Sequence, residues 1–431
     1  MEKTELTGKA MYDLAKRIFP IYRSITGDGV RTTLQILKDV CKELRICEIE
    51  SGKRVFDWTI PNEWHIEEAY IENEAGIRIV DFNENNLHVV GYSTPVDRWV
   101  EREELLSYLY TQPDQPDVIP YVTSYYTERY GFCMTEDRKN RLEPGRYHMV
   151  VKSRLFPGCM NWGELLLKGE TEEEVCFSTN ICHPGLGNNE TSGPVVLIHL
   201  AKWLSSLEHR RYTYRFLFLP ETIGSIAYLS QNLEHMQNYV KAGFVVTCVG
   251  DDHHYSYIES RKGNTLADRL LKHVLKWSCP EFQEYSFLKR GSDERQYCAP
   301  GVDLPFCVFC RSKFHEYKEY HTSKDDLNFI SADGLEHSFL VLQNVVSLLE
   351  KNRKYRMKIL CEPQLGKRGL YPTISQKNTY GDIRKIQDFI AYADGCLDFI
   401  DVCETIRQSA VEMLPVLERL IKEGLIEALE E

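Results

Sequence analysis

The alternation between Gly163 and Glu350 leaves this chain little freedom of fold. Four runs rich in β-branched and aromatic residues, 174–181, 212–219, 243–249 and 304–309, are separated by helical periodicity over 192–207, 223–233, 263–277 and 332–350. Strand, helix and strand in turn build parallel crossovers, so the pattern predicts an α/β domain with a mainly parallel sheet and helices on both faces. Ligands of such sheets bind beyond the carboxyl ends of the strands. The polar residues that follow the apolar runs are His183, Glu221, Asp251 with Asp252, and Arg311, and parallel strands would bring them to one rim.

The rest of the chain is arranged around that domain. Residues 5–46 read as two helices about a turn that carries Arg23. From 55 to 152 the texture changes to short alternating runs, Pro-containing turns and a high aromatic load, as expected of a β-rich insertion with one helix near 101–109. Tyr125, Tyr126 and Tyr130 of this stretch either line a mouth or fill a core. After a Pro- and Gly-rich linker over 362–372, helical stretches at 382–393, 398–408 and 411–423 suit a winged-helix module. The expected division is therefore 1–54 with 153–355 as the α/β domain, 55–152 as the insertion and 356–431 as the winged-helix domain.

Charge narrows the partners. The chain carries 52 basic against 64 acidic residues, a net −12, and residues 382–431 alone hold five basic against twelve acidic. A phosphate-contacting surface needs the opposite balance, so nucleic acid is disfavoured as a partner, and packing or self-association into a homo-oligomer is the expected use of the C-terminal module. No apolar run long enough to span a bilayer occurs, and the charged start MEKTELTGKAMYDL lacks a signal-peptide core, which points to the cytoplasm. In that compartment the 14 cysteines are expected to stay reduced; Cys307 and Cys310 form a lone CxxC inside a strand pattern and do not make a zinc knuckle.

Chemistry gathers at a few positions. Residues 182–193, CHPGLGNNETSG, form a polar Gly-rich turn between a strand pattern and a helix pattern, the form of an active-site loop. His183 in that loop and His321 in a polar loop before a helix are candidate metal ligands, with a hydrogen-bonded loop histidine as the alternative for each. Glu221 ends a buried strand and is the candidate general base, with an N-cap of the next helix as its alternative. Candidate substrate-binding residues are Asp293, Arg295, Arg23 and Tyr320. An arginine that merely solvates its turn is the rival reading for Arg23.

His183 with the NNETSG segment, PETIGS at 220–225, GSDERQY at 291–297 and EYHTS at 319–323 together resemble bacterial aminopeptidase-like proteins, distant relatives of the co-catalytic zinc aminopeptidases and glutaminyl cyclases. The likeness runs over nearly the whole chain, including the insertion and the winged-helix tail. It implies a zinc-exopeptidase-like sheet in which His183 and His321 hold metal and Glu221 is the catalytic carboxylate. Three positions depart from that pattern: Asn189 stands where an Asp would bridge two zinc ions, Thr222 where a second Glu would follow the base, and Thr247 where a further Asp is expected, although Asp251 and Asp252 lie close by. Two zinc ions bring four positive charges that these residues do not balance, so the expectation is one zinc ion, held by His183, His321 and Asn189 or a nearby carboxylate, or none. The function expected is hydrolysis of a terminal amide bond in a small peptide or amino-acid-derived substrate. The alternatives are a catalytically silent relative that binds a peptide, amino acid or sugar-linked amine and reports through the winged helix, and, against the charge of the tail, a DNA-binding regulator.

Overall fold

The computed structural model describes residues 2–370 and 380–429; Tyr371 and Pro372 of the expected linker fall outside them. Eight strands form one sheet, in the order Arg45–Glu50, Cys159–Leu167, Thr213–Leu219, Glu174–Asn180, Val240–Val246, Phe306–Cys310, Ser256–Ile258 and Gln283–Tyr285. The four strands expected from the sequence lie together and run parallel to one another. Every residue of Glu174–Asn180 and Thr213–Leu219 is buried, because helices cover both faces and a strand so placed can expose neither side. The sheet is mixed, since Cys159–Leu167 and Ser256–Ile258 enter antiparallel and Arg45–Glu50 adds an outer antiparallel strand. The apolar pattern predicts none of these three: Arg45–Glu50 is a largely exposed edge strand and Ser256–Ile258 is only three residues long, while Cys159–Leu167 is internal but broken by Asn161, Gly163 and Glu164.

One topological fact places the site. From Glu174–Asn180 the next strand in sequence, Thr213–Leu219, lies on one side and the one after, Val240–Val246, on the other. The crossovers therefore depart in opposite directions, and a crevice opens beyond the carboxyl end of Glu174–Asn180. His183 lies just beyond that end.

The stretch 55–152 contributes a four-stranded antiparallel sheet, in the order Arg78–Asp81, Glu63–Asn73, Arg146–Phe156 and Val96–Glu101. Ala69, Ile71, Val100, Phe132, Met149 and Val151 pack on it into a core separate from that of the main sheet. A connecting loop of this stretch reaches the main fold: Pro120 forms a bridge with Thr322.

The chain divides into two compact units, 1–263 with 283–339 and 264–282 with 340–431. The second holds a three-stranded sheet, Asp394–Asp398, Lys354–Met357 and Ile426–Ala428, with helices Tyr380–Tyr392, Phe399–Thr405 and Ala410–Lys422. Asp398 and Ser409 cap the last two, each side chain accepting the N–H three residues on. This unit also takes in helix Leu266–Ser278, which the sequence pattern assigns to the α/β alternation. His273 of that helix ties it down, with Nδ1 at 2.5 Å from Glu404 and Nε2 accepting the N–H of Ala410. No described helix is long and apolar enough to cross a membrane.

Candidate active site

After Asn180 the chain leaves the sheet through Cys182 and His183 and re-enters regular structure as a π-helical turn, Gly187–Thr191, that runs into helix Ser192–Ser205. Glu190 of that turn is fully buried and folds back on the loop. Its Oε2 accepts the N–H groups of Cys182 at 2.7 Å and His183 at 3.1 Å, and its Oε1 lies 2.5 Å from His183 Nδ1. A carboxylate at that nitrogen fixes the proton on Nδ1 and leaves the Nε2 lone pair free to act as a ligand. Nε2 lies on the Glu221 side of the ring, 3.8 Å from that residue's Oε2. Burial opposes charge on His183, but Cys182 and the carboxylate of Glu190 outweigh it and raise the imidazole well above its usual range, so an ion at Nε2 would have to displace a proton. Nothing in the sequence pattern singles out Glu190.

Cys182, His183 and Glu190 bring three potential ligand atoms within 4.8 Å of one another. Cys182 Sγ and Glu190 Oε2 already have partners, whereas Glu190 Oε1 is buried and accepts no hydrogen bond. Cys182 Sγ accepts the Glu221 N–H at 3.2 Å, burial pushes its thiol up to about 12, and Glu190 serves the two backbone donors. The cluster orients His183 and leaves Glu190 Oε1 as a buried acceptor without a hydrogen bond.

The same turn is clamped by two buried carboxylates. Asp325 accepts the N–H of Asn188 at 2.5 Å and of Asn189 at 3.1 Å, so it satisfies backbone donors that the helix start leaves open. Burial pushes Asp325 up to about 7, against the pull of those N–H groups and of the Tyr317 hydroxyl. Asp251 accepts Asn188 Nδ2 at 2.9 Å and the N–H and hydroxyl of Ser312. Asp251 is thereby used up, and Thr247 bonds the carbonyl of Asn189 at 3.0 Å, so neither supplies a ligand in place of the missing carboxylates.

Asn189 and His321 meet. The amide nitrogen of Asn189 is directed at Cys248 Sγ, 3.7 Å away, which turns Oδ1 toward His321 Nε2 at 3.2 Å. The rings of His183 and His321 are 5.4 Å apart, and Tyr320 stacks on His321 at 3.9 Å. Burial, then the charges of His183 and His315, hold His321 well below the usual range, so it is a neutral imidazole.

The insertion completes this side. Tyr121 donates its N–H to the His321 carbonyl at 2.9 Å, while Ser323 and Ile119 exchange two further bonds. These contacts hold His321 at φ 56°, a left-handed conformation that costs a non-glycine residue about 1–2 kcal/mol. The Tyr121 ring lies 4.6 Å from that of His183 and 5.1 Å from that of His321, and its hydroxyl pairs with Tyr125 at 2.6 Å. Tyr125 is a residue the sequence offers for a mouth. Tyr121 is not, because nothing local marks a residue whose role comes from a loop two hundred positions away.

Glu221 does not cap the helix that follows it. Ile223 instead donates its N–H to the Glu221 carbonyl at 2.8 Å across Thr222, which has φ 67° and ψ −73°, a γ-turn of the rare strained type. Such a residue persists only where its surroundings hold it. Asp293 does so: Oδ1 accepts the Thr222 N–H and the Ser225 hydroxyl, each at 2.8 Å. Arg295 bonds the Thr222 hydroxyl from the other side. Burial raises the Glu221 carboxyl, with Glu190 adding to the effect and His183 opposing it. Burial, then Glu221, pushes Asp293 up to about 7.

Two expectations are corrected here. Asp293 is wholly buried rather than open to the crevice; its Oδ1 anchors the Glu221 turn and its Oδ2 has no hydrogen-bond partner. Arg23 is also wholly buried; its guanidinium bonds the Ile18 carbonyl at 2.8 Å and the Thr191 hydroxyl at 3.2 Å, so it braces the loop from behind and cannot clamp a substrate carboxylate. Arg295 is exposed and its charge reaches Glu221, and Tyr320 is half-buried against His321; both stay at the crevice.

The donor set bears on metal content. Two imidazole nitrogens, with one amide oxygen turned toward one of them, are donors of the kind zinc takes.

The family model described as Domain of unknown function (DUF4910) matches residues 12–352, and a winged helix-turn-helix model matches 353–428. The chain belongs to the DUF4910 family. It is 42% identical over 381 residues to a Clostridium acetobutylicum protein named "Putative polysaccharide biosynthesis protein with aminopeptidase-like domain", a match that covers 88% of this chain and 87% of that one. A crystal structure titled as a "putative peptidase" from Clostridium acetobutylicum superposes with a TM-score of 0.93 at 38% identity, over 99% of this chain and 98% of that one. The zinc aminopeptidase from Bacillus subtilis gives a TM-score of 0.57 at 12% identity, over 80% and 94%. This DUF4910 member therefore has an aminopeptidase-like α/β fold followed by a winged helix.

Proposed function

We propose that this DUF4910 protein is an amide hydrolase that works with one zinc ion on a small peptide or amino-acid-derived substrate. The observation that supports this reading is the convergence, at the switch point of the sheet, of His183 Nε2, the Asn189–His321 pair and the Glu221 carboxylate. His183, His321 and Asn189 would hold the ion, which when bound supplies a Lewis acid for the scissile carbonyl. Glu221 is raised by burial and 23% of its side chain is exposed, so it can take a proton from water and return it to the leaving amine. Tyr320 and Arg295 face the remainder of the substrate. A cytoplasmic location and self-association through the acidic winged helix belong to the same reading.

The test is metal content followed by turnover. Protein purified without chelator should bind about one equivalent of zinc, and His321→Ala should lose it. Glu221→Gln should keep the metal and lose about 10²–10⁴-fold in cleavage of aminoacyl-arylamides. Zinc that is absent and cannot be restored ends the hydrolase reading.

Asn189 favours a second reading, a silent relative that retains the crevice for binding. The Clostridium acetobutylicum relative is named for polysaccharide biosynthesis, and of the expected ligands a sugar-linked amine is the one that accords with that name. Asn189→Asp separates the two. If the wild type is inert and the variant gains both zinc affinity and cleavage, the scaffold is competent and this chain has lost the activity.

A further inference from the structure

Tyr317 has two roles. Its hydroxyl bonds Asp325 at 3.1 Å, at the base of the Asn188–Asn189 turn, while its ring is part of the wall of a separate cavity of about 510 Å³. That volume is ordinary for a small-molecule site. Tyr285, Tyr317 and Phe329 give the cavity an aromatic lining, Lys313 and Lys318 give it positive charge, and Glu316 and Glu319 line it as well, so a carboxylate is held only on the Lys313 side. None of the candidate catalytic or metal-binding residues lines it.

Lys313 is the unusual group. It is only 3% exposed, its ammonium donates to the Phe314 carbonyl at 2.9 Å, and the nearest carboxylate, that of Glu316, is 4.0 Å away. The rings of Phe314, 4.3 Å away, and Tyr285, 5.4 Å away, also face the ammonium, but one carbonyl is its only close hydrogen-bond acceptor for three protons, so its desolvation is met in part. Burial accordingly lowers the Lys313 pKa. A carboxylate arriving in the cavity would supply the missing acceptors, while the aromatic walls take an apolar body.

The lining is also wired to the active-site loop. Ser312 donates its N–H to Asp251 at 2.9 Å and its hydroxyl at 2.8 Å, and His253 donates its N–H at 2.9 Å. Asp251 in turn holds Asn188 Nδ2. Through Tyr317 and Asp325 a second chain of bonds reaches the N–H groups of Asn188 and Asn189. Both paths end on the residue pair that sets the orientation of the Asn189 amide oxygen.

We propose that this cavity binds a small carboxylate with an aromatic or aliphatic body, held by Lys313, and that its occupancy stiffens the Asn188–Asn189 turn. The proposal stands whether or not the crevice holds zinc.

Calorimetric titration of chelator-treated full-length protein with 3-phenylpropionate tests it, because a carboxylate then has no metal to bind. One equivalent should bind, 2-phenylethylamine should not, and Lys313→Met should weaken the acid by about tenfold or more. Amide hydrogen exchange at Asn188 and Asn189 should slow by roughly threefold on saturation. Equal binding of acid and amine to the wild type overturns the site even if the variant does not fold, as does unchanged affinity in a folded Lys313→Met protein. Binding without slower exchange overturns the coupling.

Discussion

The two histidines of the crevice are held in opposite ways. His183 is gripped by charge, with a buried carboxylate at Nδ1 that also takes the backbone N–H groups of Cys182 and of His183 itself. His321 has no such carboxylate grip; it is neutral, stacked on Tyr320, and fastened through its backbone by a loop of the β-rich insertion. One histidine is thus oriented by electrostatics inside a single loop, the other by packing between two distant segments. The difference teaches where each half is vulnerable. A change of charge should damage the His183 half, and a change of shape the His321 half.

The sharpest attempt to break this contrast is Glu190→Ala. It leaves two donors, the N–H groups of Cys182 and His183, without their acceptor in a closed interior and removes the carboxylate that lies 2.5 Å from His183 Nδ1. Orphaned buried donors cost about 1–3 kcal/mol each, with relaxation absorbing part, so urea unfolding should register a loss of roughly 3–5 kcal/mol. Glu190→Gln keeps the shape and removes the charge. It should retain most of the stability while zinc affinity falls about 10–100-fold, since an amide holds the imidazole tautomer less firmly. Equal zinc affinity in Glu190→Gln and wild type would show that charge does not orient His183.

A smaller effect tests the turn beside Glu221. Asp293 has its pKa raised from 3.8 to about 7 in the folded protein. The folded state therefore holds the proton more tightly than the unfolded chain between those values. By linkage the carboxyl costs nothing below the unfolded pKa, and its cost grows as pH rises through the window and levels off above it. Asp293→Asn keeps an oxygen for Thr222 and Ser225 and cannot ionise. Relative to wild type it should gain stability between about pH 4 and pH 8, by up to about 4 kcal/mol for roughly three pKa units at about 1.36 kcal/mol each. A stability difference that does not move with pH would mean that Asp293 titrates normally, and that burial at this edge of the crevice is incomplete.

The same contrast explains what can be read from residues alone. The parallel core is legible because strands buried on both faces must be continuously apolar, and His183 and Glu221 are legible because they end such strands. His321 is found through its polar loop and its resemblance to known site motifs. Its environment is not, since Tyr121 acts across a separation of 200 residues and carries no local mark. Arg23 and Asp293 mislead for a related reason. A charged residue in a turn reads as exposed, and only the fold reveals that the turn is buried behind the loop it supports. Glu190 escapes notice because the sequence assigns it to a helix start, where an acidic residue needs no special account.

Tyr121→Phe asks how much of the His321 half is shape alone. The substitution keeps the ring 4.6 Å from His183 and 5.1 Å from His321 and keeps the N–H bond to the His321 carbonyl, but it removes the 2.6 Å hydroxyl pair with Tyr125. One hydroxyl pair contributes about 1 kcal/mol, so stability should fall by that much and zinc affinity should stay within about twofold. Tyr121→Ala removes the ring as well and should lower zinc affinity severalfold, because His321 then loses the wall that keeps its imidazole facing Asn189. If Tyr121→Phe weakened zinc as much as Tyr121→Ala, the hydroxyl pair rather than the ring would be what matters. The His321 half would then also be held by polar contacts, and the contrast with His183 would fail.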